Sequence, residues 1–544
     1  MDPEQAPRIF FSDLESGPNA GGENNKGVYL TLYGKDFGAA RGSCTVSMGG
    51  ENADNYPVWS AERITLQLGA KARSGQVVVN CPSGTSNGVP FTVRPGNVYF
   101  VSTKGSDRNR GTFLSPWQTL IKAKNSIEPG DVIYAMDGVS QTGMDNYGAS
   151  LNIEIGGAPG KPLAIVAYPG ATVTVGTVSG GVPMGIRVPN TGGAERAKNW
   201  VIAGLTIRGQ LAALNLGGGA NPSAENWRII GNDMSCPNGN GAAACAGTSR
   251  ASNIKFLGNV VHDVGNANSS KLYQGVYFGT DSNNIEVGWN HIYNIRGCRG
   301  IQFHSSPLTR DGTSGLNQYN LIVHDNLIHD VRCDAINFAT VDPSRGPVQA
   351  YNNVIYHVGT GPHPIDGPAD YSCFYVAGGT NTGPASSGQV LIQNNTCYDA
   401  GAISMAYGAA GLISGPIRGS TLTVEYENNI FFALKDEAYI SLVTIGTAGA
   451  QRIQGSNNLW FGNGPAPGSP ARLTANMNAN PMFVNPSAAD FHLKPGSPAI
   501  RAGAKGGPPA DHDGQARPPG VACDIGALQA RSEALVPARD PGHR

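Results

Sequence analysis

An internal repeat built around an asparagine limits this chain to very few folds. The segment IKFLGNVVHDV from Ile254 to Val264 aligns with IEVGWNHIYNI from Ile285 to Ile295 and with LIVHDNLIHDV from Leu321 to Val331. The same column holds Asn232, Asn259, Asn290, Asn326, Asn353, Asn395 and Asn429, at spacings of 27 to 42 residues. A fixed core with insertions of variable length describes a solenoid whose rungs bulge on one side. A second strand follows each copy: Gly275–Gly279, Gly300–His304, Ala335–Ala339, Cys373–Ala377 and Ala402–Ala406. Its second and fourth residues are apolar, so they face a core while the first, third and fifth face out. Stacked rungs of this kind make a parallel β-helix. The asparagines then form an internal ladder that satisfies backbone at the bend, and His262, Tyr293, His329, Tyr356 and Tyr398 read as a structural stacking column.

Composition agrees with strand and turn. Glycine is 75 of 544 residues and charged residues are 14%, which excludes a coiled coil, while 40% hydrophobic residues at a net charge of -1 exclude a disordered chain. The balance of 38 basic and 39 acidic residues gives no overall attraction to nucleic acid, and no apolar run is long enough to span a membrane. Met1-Asp2-Pro3 lacks the basic and apolar segments of a secretion signal, which reads as a trimmed start.

The first 95 residues differ from the repeats. Val28–Leu32 and Ile64–Leu68 alternate in and out between turn-rich stretches, as in a small β-sandwich. Pro7-Arg8-Ile9, Leu32–Gly38, Ser74–Val79 and Ser86–Phe91 resemble the IPT/TIG immunoglobulin-like fold, whose domains usually act as spacers or carbohydrate-proximal modules. Cys44 and Cys81 share the inward parity of Val46 and Val79, as an inter-strand disulfide or as two core thiols. Arg94-Pro95-Gly96 is read as a linker. Beyond it, Ser115 as N-cap, Pro116, and apolar Trp117, Leu120, Ile121 and Ile127 predict a short amphipathic helix that caps the solenoid's open end.

The opening from Tyr99 to Gly111, with Ser115-Pro116-Trp117, Gly130–Ile133 and Pro162–Gly170, resembles that of secreted right-handed β-helix polysaccharide enzymes of the alginate lyase and chondroitinase B kind. Asn480–Phe483, Phe491–Pro498 and Asp524–Ala527 resemble the closing segment of that superfamily. The expected fold class is therefore all-β: an immunoglobulin-like sandwich over residues 1–95, a right-handed parallel β-helix over 96–530, and a tail over 531–544. The resemblance implies a secreted, carbohydrate-active enzyme that cleaves an acidic, uronate-containing polysaccharide, most simply by β-elimination.

That reaction needs a group to neutralise the substrate carboxylate, a base for the adjacent proton and an acid for the leaving oxygen. The outward positions between residues 271 and 377 supply candidates. Arg299, with Gln302 and Asn337, is assigned to the carboxylate; Lys271 or His304 to the base; Tyr277 or Tyr375 to the acid. Tyr273 lies on the same face, and Asp334 occupies the bend position equivalent to Arg299. The run Ser269-Ser270-Lys271-Leu272-Tyr273 lacks the lyase family's own motif, so no residue role is carried over from it. The insertion from Gly359 to Tyr371 brings His363 and Asp366 over the groove as a wall or lid. The rival chemistry, glycoside hydrolysis, would pair Asp334 with Asp366 or Asp370; a uronate epimerase or a non-catalytic polysaccharide-binding adhesin also fits the groove.

Nine cysteines show no metal spacing. Cys298 and Cys333 share a column on adjacent rungs, where strands stack within disulfide reach, and Cys236 and Cys245 would close a loop. These bridges point to an oxidising, extracellular compartment with at least one thiol left over. No cofactor is assigned; calcium held by carboxylates from several rungs is the one ion such folds suggest. The chain is expected to act as a monomer on a polysaccharide.

Overall fold

The computed structural model describes residues 5–53, 55–189, 197–217, 224–305, 318–378, 385–403, 407–417, 421–434, 436–442, 452–468 and 471–530. The described residues fall into two compact units, one drawn from residues 1–298 and 304–316, the other from 299–303 and 317–544.

The first unit begins with the sandwich. Arg8–Ser12, Tyr29–Lys35, Arg63–Gln67 and Asn55–Trp59 form one antiparallel sheet, with Leu30 opposite Leu66 and Leu32 opposite Ile64. Val89–Val93, Gly75–Cys81, Thr45–Met48 and Glu51–Asn52 form the other, joined by Ser16–Gly17. Their alternating apolar residues meet in a core of Leu30, Leu32, Val46, Ile64, Leu66, Val77, Val79 and Phe91, and Cys44 is bonded to Cys81.

From Val98–Val101 onward the chain winds as a right-handed parallel β-helix. A representative rung of the first unit runs Ser252–Leu257, Val260–Val264, Tyr273–Gly279, each strand pairing in parallel with its counterpart one rung earlier. In the second unit Val348–Tyr351, Val354–Val358 and Phe374–Gly378 do the same. Asn232, Asn259 and Asn290 form one run of the ladder, and Asn326, Asn353, Asn395, Asn429 and Asn458 another, with amide-to-amide bonds of 2.9–3.1 Å. Each side-chain oxygen also accepts the backbone N–H of the preceding asparagine, as Asn395 does from Asn353. The second amide hydrogen goes to a carbonyl, as from Asn353 to Val323. The residue before each ladder asparagine is left-handed: Gly231, Gly258, Trp289, Asp325, Asn352, Asn394, Asn428 and Asn457. Glycine, asparagine and aspartate tolerate this. Trp289 is bulky, and its ring stacks on Phe10 and packs at a tilt against Phe11 of the sandwich.

Three expectations need correction. The helix is a single turn, Leu120–Lys124, capped by Thr119, whose side chain accepts from the Lys122 N–H; Ser115 lies in a tight turn bridged to Thr112 and Trp117 pairs with Val101, because the Tyr99–Trp117 stack holds that stretch extended. The third strand after Asn395 is Leu412–Ile417, which pairs with Phe374–Gly378, while Gly401–Ile403 is a turn and 404–406 lies outside the described residues. Arg94 is no free linker. It is buried, donating to Ser16 Oγ at 2.8 Å, to the Pro162 carbonyl at 3.1 Å and to the Gly130 carbonyl.

The sandwich is in fact bolted to the solenoid. Strands such as Leu163–Ala167 are apolar on both faces because one lines the helix interior and the other, Ala164 and Val166, joins the sandwich core with Val132, Tyr134, Val201, Ala203, Ile230 and Leu257. Arg228 reaches across to the Ser12 carbonyl at 2.5 Å and to Glu15. In the second unit the C-terminal segment covers a different face: Phe483, Phe491, Leu493, Ile525 and Leu528 pack on Val354, Ile430, Leu459, Tyr356, Tyr398 and Phe432. The tail over 531–544 lies outside the described residues.

His492 fastens this segment between Asp513, 2.9 Å from Nε2, and Asp490, 2.6 Å from Nδ1. The hydrogen bond to Asp513, then that to Asp490, raises its pKa against the cost of burial. A raised folded-state value means the stabilisation is fully present below the unfolded value of about 6.5 and is lost as pH rises through the higher, folded-state value. The melting-temperature difference between wild type and His492→Gln should therefore be largest in acid and shrink in alkali. Asn353→Ala, which strands several buried donors and acceptors, should cost about 2–4 kcal/mol in denaturant unfolding.

Candidate functional site

The third strand of each rung presents one outward column that is polar in most rungs, with Gly247 and Ile413 as exceptions. In the second unit Gln302 lies beside Asn337 and Asn337 beside Tyr375, while Ile301, Phe303, Ile336, Phe338, Phe374 and Val376 point inward and are buried. Ile413 follows Tyr375 in this column, and a Cβ on Gly415, two residues further along the same strand, would overlap the phenol oxygen. The glycine is what lets the ring lie over the next rung.

At the bend just before these strands sits a charged cluster. Asp334 is 0% exposed. Its Oδ2 accepts from Asn337 Nδ2 at 2.9 Å and from Arg299 Nε at 3.3 Å, and its Oδ1 accepts from Ser372 Oγ at 2.9 Å. Burial raises its pKa, while Arg299, Asn337 and Ser372 pull it down. With its oxygens engaged, Asp334 positions Arg299 and does not meet a substrate, which removes it as half of a hydrolytic pair. Arg299 turns its Nη2 toward Asp370, 3.7 Å away and 28% exposed. Asn337 is buried, yet its Oδ1 has no partner. Burial, then Asp370, raises the pKa of the Tyr375 phenol, which keeps its proton.

The insertion over this cluster is pinned. Arg332 donates to the carbonyls of Pro362 at 2.8 Å and His363 at 2.7 Å, and His363 Nδ1 lies 2.5 Å from the Tyr371 hydroxyl. Tyr407, whose ring is exposed, meets His363 edge-on. Asp366 and Ile365 are exposed on the same segment. The insertion is therefore a wall with an aromatic and apolar lip. Sequence reading missed Ser372, Tyr371, Tyr407 and Arg332; only Ser372 had a signal, since it follows Asp334 in the same bend column, its carbonyl accepting from the Ala335 N–H.

The remaining candidates lie in the first unit. Tyr277 donates to the His304 carbonyl at 3.0 Å and sits 3.2 Å from its Nδ1, both half-buried. Lys271 is half-buried at the bend, its carbonyl accepting from Gln274. Tyr273 is corrected: it is wholly buried, and its hydroxyl donates to the Leu211 carbonyl at 2.7 Å. The loop closed by the Cys236–Cys245 bond covers it, and Gly239 is the residue that makes room for the phenol. Parity alone pointed Tyr273 outward because it carries no information about loops that fold over a strand. Cys373 is bonded to Cys397, a bridge the sequence did not suggest; Cys298 and Cys333 are also oxidised, and Cys523 is a buried thiol. Among the described residues no three His, Cys, Asp or Glu side chains converge as a metal site, and no helix is long and apolar enough to cross a membrane.

Residues 16–104 match the IPT/TIG domain family. The fold is similar to that of pectate lyase Pel9A, at a TM-score of 0.50 and 13% identity over 80% of this chain and 96% of that one. XylC in complex with xylose aligns over 80% of this chain and 99% of its own at a TM-score of 0.48 and 11% identity, and a rhamnogalacturonan lyase over 79% and 96% at 0.38 and 15%. No curated protein matches the chain in sequence. At these identities the likeness to Pel9A establishes the β-helix fold.

Asp334→Ala should strand the buried Asn337 amide and remove the carboxylate that faces Arg299 Nε, costing about 3–5 kcal/mol in denaturant unfolding. Asp366→Ala, an exposed carboxylate, should stay within about 0.5 kcal/mol of wild type.

Proposed function

We propose that this protein is a carbohydrate-active enzyme that cleaves a uronate-containing polysaccharide by β-elimination. The observation that carries the reading is Arg299, locked from behind by buried Asp334 and turned toward the polar column of Gln302, Asn337 and Tyr375. A solenoid face repeats once per rung and suits an extended polymer, and the similar fold of a pectate lyase supports the reaction class.

In this reading the substrate carboxylate takes the Arg299 Nη2 edge from Asp370, as guanidinium favours a planar, bidentate partner. Asp370, displaced beside the acidified carbon, removes its proton. The electron pair forms the carbon–carbon double bond as the glycosidic C–O bond breaks, and Tyr375 gives its proton to the leaving oxygen. The oxidised cysteines support maturation in an oxidising compartment outside the cytoplasm, and the capped, bolted architecture supports a monomer.

The test is a panel of acidic and neutral polysaccharides, with and without calcium, followed by ultraviolet absorbance and reducing ends together. Both signals should rise on an acidic polymer. Arg299→Ala should lower kcat/KM by about 10²–10³-fold and Tyr375→Phe should lower kcat by about 10²–10⁴-fold. His304→Ala and Lys271→Ala in the same assay test the two bases nominated by sequence. Reducing ends without absorbance would assign hydrolysis instead, and binding without either signal would assign an adhesin.

A further inference from the structure

In the first unit the second sheet carries a groove that the candidate site does not use. Its floor is one outward column, Gly176, Arg208, Ser235 and His262, each lying beside the next on successive rungs. Tyr293 continues the column and stacks on the His262 ring. In the second unit the same column reads His329, Tyr356, Tyr398 and Phe432, and its Tyr356, Tyr398 and Phe432 pack under the C-terminal segment. In the first unit it is polar and lies in an open groove of about 690 Å³, a volume usual for ligand sites.

One side of the groove is a wall of loops tied rung to rung. Asn238 Nδ2 donates to the Val178 carbonyl at 3.2 Å, Asn266 Nδ2 to the Pro237 carbonyl at 3.4 Å, and the Gly265 N–H to the Cys236 carbonyl at 2.9 Å. The Cys236–Cys245 bond closes the middle loop. Strands stack about 4.8 Å apart, close to the advance per residue of an extended pyranose chain. A groove that follows the rungs therefore repeats in step with a polysaccharide.

The groups facing this groove are accessible and incompletely used. The Thr174 and Ser235 hydroxyls line it and have no partner among the described residues. Arg208 gives Nη2 to Asp233 at 2.5 Å and Nη1 to the carbonyls of Ile207 and Asp233, which leaves its Nε–H open. Arg296 is exposed at the far end, its Nε donating to Asn294 Oδ1 at 3.1 Å. His262 sits between Asp233, 3.3 Å from Nε2, and Asp263, 2.8 Å from Nδ1. The hydrogen bond to Asp233 is the main cause of its raised pKa, against the cost of burial. Arg208, Arg296 and protonated His262 thus outnumber the two carboxylates, and a net positive floor favours an acidic strand over a neutral one.

We infer that this groove is a secondary binding site for a uronate-containing glycan strand. Arg208 Nε and the Arg296 guanidinium take sugar carboxylates, while Thr174, Ser235 and Asp263 bond ring hydroxyls. The ligand class rests on the function proposed above; the groove is built wholly within the first unit and takes no part in bond cleavage.

The test is calorimetric titration of the full chain carrying Arg299→Gln, so that no turnover occurs, with hexamers of galacturonate and of guluronate and with neutral xylohexaose. An acidic hexamer should bind and xylohexaose should not. Arg296→Ala added to this background should weaken one binding event by about tenfold. Thr174→Trp, which fills the groove without changing its charge, should lower the number of hexamers bound per chain by one. The inference is overturned if neither acidic hexamer binds, if xylohexaose binds equally well, or if either variant binds as the background does. Should Thr174→Trp fail to fold, Arg296→Ala, at an exposed position, decides alone. Turnover of an acidic polymer by the wild type, with unchanged binding by the variants, would overturn this inference and leave the catalytic reading standing. Binding lost in the variants of a chain that turns nothing over would do the reverse.

Discussion

The ladder of buried asparagine amides is the interaction on which the solenoid rests. A β-helix must turn its backbone sharply at each bend while keeping that bend inside the protein, where an unpaired N–H or C=O is costly. Asparagine meets this need because its side chain carries an acceptor and two donors in one plane. Each oxygen takes the amide and backbone N–H of the rung before, and the remaining donor goes to a carbonyl, so the bond pattern repeats whatever the insertion between rungs. The left-handed residue just before each asparagine sets the angle. Variable loops can then be carried on other corners without disturbing the stack.

With the interior uniform from rung to rung, the outer faces carry the variation, and their composition records what lies on them. The first sheet is apolar outward through Tyr134, Val166, Ala203 and Ile230, where the sandwich packs. In the second unit the same position, two residues before the ladder asparagine, holds His324, Tyr351, Gln393 and Glu427. The second sheet shows Tyr356, Tyr398 and Phe432 beneath the C-terminal segment, whereas in the first unit it shows Arg208, paired with Asp233, and His262, held by Asp233 and Asp263. The third sheet is covered by neither and keeps a polar column. Apolar area is thus buried on the first sheet in the first unit and on the second sheet in the second unit.

On that face, burial and charge work against each other. Asp334 is sealed by three donors, and burial raises its pKa against the pull of Arg299, Asn337 and Ser372. Asn337 keeps its side-chain oxygen buried without a partner, as does Asn152 in the first unit.

Periodicity made the solenoid legible, together with the ladder asparagines except Asn458 and the inward and outward parity of most third strands; the Cys44–Cys81 bond was one of two readings of strand parity, and Cys236–Cys245 was read as the closing of a loop. Each residue carries that signal locally, in its place within a rung. The same parity put Gln302, Asn337, Tyr375 and Arg299 on one surface. Folding in three dimensions was needed to reveal that Tyr273 is covered, that Asp334 is sealed, that Cys373 meets Cys397, that the strand after Asn395 begins at Leu412, and that Arg94 is an anchor. Each of these depends on where a loop or another domain folds across a strand, and such contacts join residues whose separation in the chain has no period to read.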